Sequence, residues 1–119
     1  MGNARTDRIK AQLEGRYKDT VHVYGELAAF RLRLMALAVI GNPSVNQATK
    51  DIMNDALLDC GLDTIEVIAK HGDQHAPLLK EKDVDTLTRF VITNPNSRKD
   101  LQLKFNQIRV GLGLEPLPT

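Results

Sequence analysis

Only three of the fifteen residues from Glu26 to Ile40 are charged: Glu26, Arg31 and Arg33. The apolar ones wrap most of a helical circumference. Leu27, Phe30, Leu34, Leu37 and Ala38 share one face, while Leu32, Met35, Ala36 and Val39 spill onto others. A helix that is apolar nearly all round needs cover on several sides. In a chain of 119 residues a partner subunit is the simplest source of it, so the segment predicts an oligomer as well as a helix. Gly41-Asn42-Pro43 stops the helix.

The rest of the composition suits helices packing on helices. Hydrophobic residues make up 42% and charged residues 26%, a globular rather than a disordered balance. With three phenylalanines, two tyrosines and no tryptophan, the core must be aliphatic. The single cysteine, Cys60, excludes an internal disulfide and reads as a buried structural thiol. The longest apolar run, Leu34–Ile40, falls far short of the roughly 20 residues a membrane-spanning helix needs. The N-terminus lacks the apolar stretch of a signal peptide, so the expected compartment is cytoplasmic and no membrane partner is expected.

Around the apolar helix the chain divides into further elements. Residues 1–16 read as a polar, basic arm. Residues 17–24 alternate: Tyr17, Val21 and Val23 on one face, Arg16, Lys18, Thr20, His22 and Tyr24 on the other, which is the period of a strand. Ser44-x-x-Gln47 has the form of a capping box that opens a second helix, with Val45, Ala48, Ile52, Met53, Ala56 and Leu57 as its core stripe and Gly61 as its stop. Asp63-x-x-Glu66 predicts a further short helix. Lys80–Thr93 reads as helical, Asn94-Pro95-Asn96 breaks it, and Ser97-x-x-Asp100 signals a last helix lined by Leu101, Phe105, Ile108 and Leu112. Residues 113–119, with two prolines, read as a trailing tail. No internal repeat or low-complexity segment is evident.

A short strand (Thr20–Val23), an apolar helix (Glu26–Ile40), a Gly-Asn-Pro turn and a helix opening Ser44-Val45-Asn46 together resemble the ribbon-helix-helix family of DNA-binding proteins. The resemblance covers about residues 18–62, within an expected DNA-binding unit over residues 17–62. It implies a mainly α fold: an intertwined dimerisation unit of one short β-strand plus two helices, followed by an all-helical extension over residues 63–119. It also implies sequence-specific binding of double-stranded DNA through a two-stranded ribbon in the major groove. Arg16, Lys18, Thr20 and His22 would then face the groove, and the amides of Ser44, Val45 and Asn46 would clamp a backbone phosphate. The charge distribution agrees. Residues 1–33 carry seven basic against four acidic residues, and the remainder nine against eleven. The expected role is an autoregulating repressor or a plasmid relaxosome or segregation accessory protein. It would act as a homodimer or tetramer, with residues 63–112 able to dock a second protein.

The other function class the sequence admits is an all-helical protein that binds and regulates another protein without touching DNA. Enzymatic chemistry has little support, since there is no phosphate loop, nucleophile elbow or His-Glu-x-x-His. His71 and His75 flank Asp73 but lack the further ligands of a tetrahedral metal site, and Gly72 and Pro77 point to a loop. Asp51, Asp55 and Asp59 recur every four residues and read as the wet face of the second helix. No cofactor is expected.

Overall fold

The computed structural model of the chain describes residues 4–62 and 80–119. Five helices lie among them: α1 (Ala4–Tyr24), α2 (Glu26–Gly41), α3 (Gln47–Asp59), α4 (Glu81–Thr93) and α5 (Lys99–Gly111). The expected short helix near Asp63 and the His71–His75 segment lie outside the described residues.

The mainly α expectation holds, but the ribbon-helix-helix unit does not: no described residue is in a strand. Residues 17–24 are the last two turns of α1, which runs unbroken from the segment expected to be an arm. The reason is a competing period. Leu13, Tyr17, Thr20 and Tyr24 recur at helical spacing, and this stripe turns inward, with Leu13 and Thr20 buried and the tyrosines partly so. The alternation of Val21 and Val23 is a weak local preference that packing overrides.

The helices form two hairpins, α2–α3 and α4–α5, that match residue for residue at a spacing of 52 (Asn42 to Asn94). Val39-Ile40-x-Asn42-Pro43 recurs as Val91-Ile92-x-Asn94-Pro95, and Gly61-Leu62 as Gly113-Leu114. The bonding recurs with it. The Asn42 side chain accepts from the Ser44 amide at 2.8 Å, and the Asn94 side chain from the Asn96 amide at 2.8 Å. Both hairpins end in the same two-bond helix stop, where Leu62 N–H reaches Leu57 O at 3.1 Å and Leu114 N–H reaches Arg109 O at 2.8 Å. Burial follows suit: Thr49, Met53, Ala56 and Leu57 on α3 are matched by Leu101, Phe105, Ile108 and Arg109 on α5. The chain therefore does carry an internal repeat. Its identities concentrate in the turns, while the helical positions share only their apolar spacing.

The hairpins pack face to face, α3 on α5 and α2 on α4. The two inner helices run antiparallel. Thr49, early in α3, lies against Gly111 at the end of α5, where an added Cβ would collide with its side chain. At the other end, Asp59 pairs with Lys104 and, at 3.9 Å, with Arg98. Between these ends Met53, Leu57, Phe105 and Ile108 are sealed from solvent.

α1 lies across the end of the first hairpin. Thr20 Oγ1 donates to the Cys60 carbonyl oxygen at 2.6 Å and lies 3.0 Å from that of Arg16. Arg16 reaches the Leu58 carbonyl oxygen at 3.2 Å. Its last residue ties α1 to the second hairpin: Tyr24 Oη is 2.5 Å from Ser97 Oγ, and its ring stands 5.8 Å from that of Phe90.

Three further expectations are corrected. The cap of α3 is Asn46, whose side chain accepts from the Thr49 amide at 2.8 Å; Ser44 belongs to the preceding turn. Likewise Ser97 does not cap α5. Its hydroxyl is turned back to the Val91 carbonyl oxygen at 2.7 Å. The tail does not trail either. Leu114 and Leu117 pack on the core, and Asn106 bonds both the amide and the carbonyl of Leu117.

The one buried charge is Arg109 among the described residues. It donates to Asp85 Oδ1 at 2.7 Å, to Thr88 Oγ1 at 2.9 Å and to the Glu115 carbonyl oxygen at 2.8 Å. The bond from Arg109, more than any other cause, holds the Asp85 carboxyl below its ordinary 3.8. A depressed carboxyl stabilises the fold fully above its unfolded value and loses that contribution as pH falls through the folded value. Asp85→Asn is therefore expected to flatten the loss of stability below about pH 4, read as urea midpoints across a pH series.

The paired stops give a second prediction. Gly61 has φ 60° and Gly113 φ 83°, both left-handed. A Cβ at Gly61 would strike the Leu13 carbonyl oxygen and the Tyr17 amide beneath α1, whereas one at Gly113 meets nothing within 4 Å. Gly113→Ala is expected to cost about 1 kcal/mol. Gly61→Ala is expected to cost about 3 kcal/mol or more, because the overpacking adds to the backbone strain. Chemical denaturation of the two variants measures the difference.

Candidate functional site

α2 buries one side against both hairpins: Ala29, Leu32, Met35, Ala36 and Val39 have almost no exposed surface. Its other side is apolar and open. Leu27 is 62% exposed, Phe30 51% and Leu34 38%, three large side chains at spacings of three and four residues on one face. Leu37 and Gly41 continue the line, partly covered. Glu26 and Arg31 flank it and are exposed. α1 passes beside this stripe rather than over it, with the Arg33 guanidinium 5.7 Å from the centre of the Tyr17 ring.

The repeat supplies an internal control. The positions in α4 equivalent to Phe30, Arg31 and Leu34 are Lys82, Asp83 and Thr86, all exposed and all polar. The fold is satisfied with hydrophilic residues there, so the apolar side chains of Phe30 and Leu34 are not a requirement of packing. Elsewhere, Ile9, Leu58, Phe90, Leu103 and Val110 are exposed too, but they are spread over four helices. Scattered apolar residues need no explanation, whereas a contiguous stripe does.

The residues expected to touch DNA fall into two groups. Arg16, Lys18, Thr20 and His22 lie on α1; Lys18 and His22 are exposed, Arg16 is turned to Leu58, and Thr20 is buried against Cys60. Ser44, Val45 and Asn46 open α3, with Val45 buried in the core and the Asn46 side chain spent on its cap. α1 meets the far end of α3, at Leu58 to Gly61. α3 is about 20 Å long at 1.5 Å per residue, so the two groups sit at opposite ends of it and are not brought together.

Sequence reasoning identified the α2 segment but read all of its apolar faces as equally in need of cover. It missed which face stays open, although the Leu27-Phe30-Leu34-Leu37 spacing already singled that face out. Tyr24, read as a strand residue, is the link to the second hairpin, and no local pattern signals that.

Among the described residues no three His, Cys, Asp or Glu side chains converge on a metal-sized site. A cleft of about 160 Å³ between α1 and the start of α5 is lined by Arg16, Asp19, Tyr24, Asp59, Cys60 and Arg98, among others. Its charged groups are engaged in part with one another and with backbone: Arg98 with Asp59 and Asp100, Arg16 with Leu58. Burial pushes the Cys60 thiol up to about 11. It is protonated at neutral pH and is not a nucleophile there. At pH 8 an aromatic disulfide reagent is expected to label native protein at least about a hundredfold more slowly than unfolded protein, measured as the release of its chromogenic thiolate.

No protein-family model, no curated protein and no solved structure matches this chain. Its own surfaces are what speak for its function.

Proposed function

We propose that the chain is a helical protein-binding module that acts through the exposed apolar face of α2 rather than by catalysis. One observation carries the reading: Leu27, Phe30 and Leu34 form an open stripe, and where Phe30 and Leu34 stand the sister hairpin carries exposed lysine and threonine. Completing the burial of three such half-exposed side chains is worth roughly 1 kcal/mol or more each, at about 25 cal/mol per Å² of apolar surface. That is enough to anchor an amphipathic helix laid along the face, the usual occupant of such a stripe.

The DNA-binding expectation rested on a strand, and that segment is the end of α1.

The test compares wild type with Phe30→Glu. Phe30 is half-exposed, so the variant is expected to melt within about 0.5 kcal/mol of wild type. As bait in extracts of the source cell, wild type is expected to retain a protein that Phe30→Glu loses. Equal retention by both places any binding elsewhere. A shift of random duplex DNA at low salt that fades steeply as salt rises would overturn the reading in favour of nucleic acid.

A further inference from the structure

We infer that the occupant of the α2 face is the α2 face of a second copy, paired parallel and in register. This rests on the protein-binding reading above and names the partner. Leu27, Phe30, Leu34, Leu37 and Gly41 alternate at intervals of three and four, the repeat of a two-stranded coiled-coil seam. The seam is open over its first two turns, where Leu27, Phe30 and Leu34 project. Glu26 stands immediately before the first seam position and Arg31 immediately after the second. Those are the two flanking positions of the repeat, and in a parallel pair each faces the other across the interface. Glu26 of each copy therefore meets Arg31 of the other, giving two ion pairs at the rim of the apolar contact.

Both groups are available. Glu26 and Arg31 are exposed, and neither forms an ion pair with a described residue. An antiparallel pair would bring the two Arg31 side chains to the same flank, where they repel. Charge thus selects both the occupant and its direction. α4 lacks the pattern: Lys82, Asp83 and Thr86 replace the seam and its flank, so the second hairpin has no matching face.

The contact is one short helix face, well below the roughly 800 Å² per partner of a stable complex, so it calls for association in the micromolar range. The experiment is sedimentation equilibrium on the full chain at low salt, up to about 200 µM, with circular dichroism to confirm that each variant is folded. Wild type is expected to dimerise. Glu26→Lys and Arg31→Glu alone turn two attractions into two repulsions and are expected to weaken the dimer roughly five- to thirtyfold. The doubly exchanged Glu26→Lys/Arg31→Glu protein is expected to return to within about threefold of wild type. Phe30→Glu is expected to be monomeric. A monomeric wild type at the top concentration overturns the self-pairing proposal alone, since retention of a different protein by the α2 face is read independently with the Phe30→Glu bait. Tighter association of Arg31→Glu, or no recovery in the double exchange, overturns the parallel register.

Discussion

The fold depends on two helical hairpins covering each other. Each helix of the pair α3 and α5 has thirteen residues, a length at which an isolated helix is marginal in water. Each hairpin also carries an apolar face too wide for its own two helices to hide. Laying α3 antiparallel on α5 closes both faces at once, with Met53 and Phe105 holding equivalent places in the seal. The small side chains at the ends set how close the helices come: Gly111 leaves room for Thr49, and at the opposite end Asp59 draws in Lys104 and Arg98. α1 then bridges the assembly, bonded to the first hairpin by Thr20 and Arg16 and to the second by Tyr24.

Much of this was legible residue by residue, and the exceptions have physical causes. The spacing of Met53, Ala56 and Leu57, and that of Leu101, Phe105 and Ile108, announced both inner helices, because a core face written at helical period has few other uses. The two Asn-Pro turns announced their own positions. The stretch Thr20–Tyr24 was misread because five alternating residues satisfy a strand, while the helical stripe that governs them begins seven residues earlier at Leu13. The cap of α3 was placed two residues early because Ser44 and Asn46 both offer a side-chain oxygen, and only the turn geometry decides between them. The repeat escaped notice because its helices conserve burial rather than identity.

The candidate surface was legible as composition but not as place. The excess of apolar residues in Glu26–Ile40 pointed to cover from outside the chain, whereas most of that cover comes from within it, from the other helices. What is left over is narrow, a single line of side chains. At the places of Phe30 and Leu34 the sister hairpin carries lysine and threonine. A duplicated fold thus separates the residues that hold the structure from those added for another purpose, a distinction that a single sequence rarely offers.

The repeat is not quite symmetrical at its centre, and the asymmetry bears on how the molecule comes apart. Where the first hairpin seats Leu57, the second seats Arg109, held by Asp85, Thr88 and the Glu115 carbonyl. Leucine needs only exclusion from water, but a buried guanidinium needs every partner in place. Loss of the segment around Glu115 or of the first turns of α4 therefore strands the arginine and loosens the second hairpin from that end. The first hairpin, with α1 clamped over Gly61, has no such weak joint. Hydrogen exchange in the native state would then be graded, with the first turns of α4 and the end of α5 opening at lower free energy than the α3–α5 seal around Met53 and Phe105.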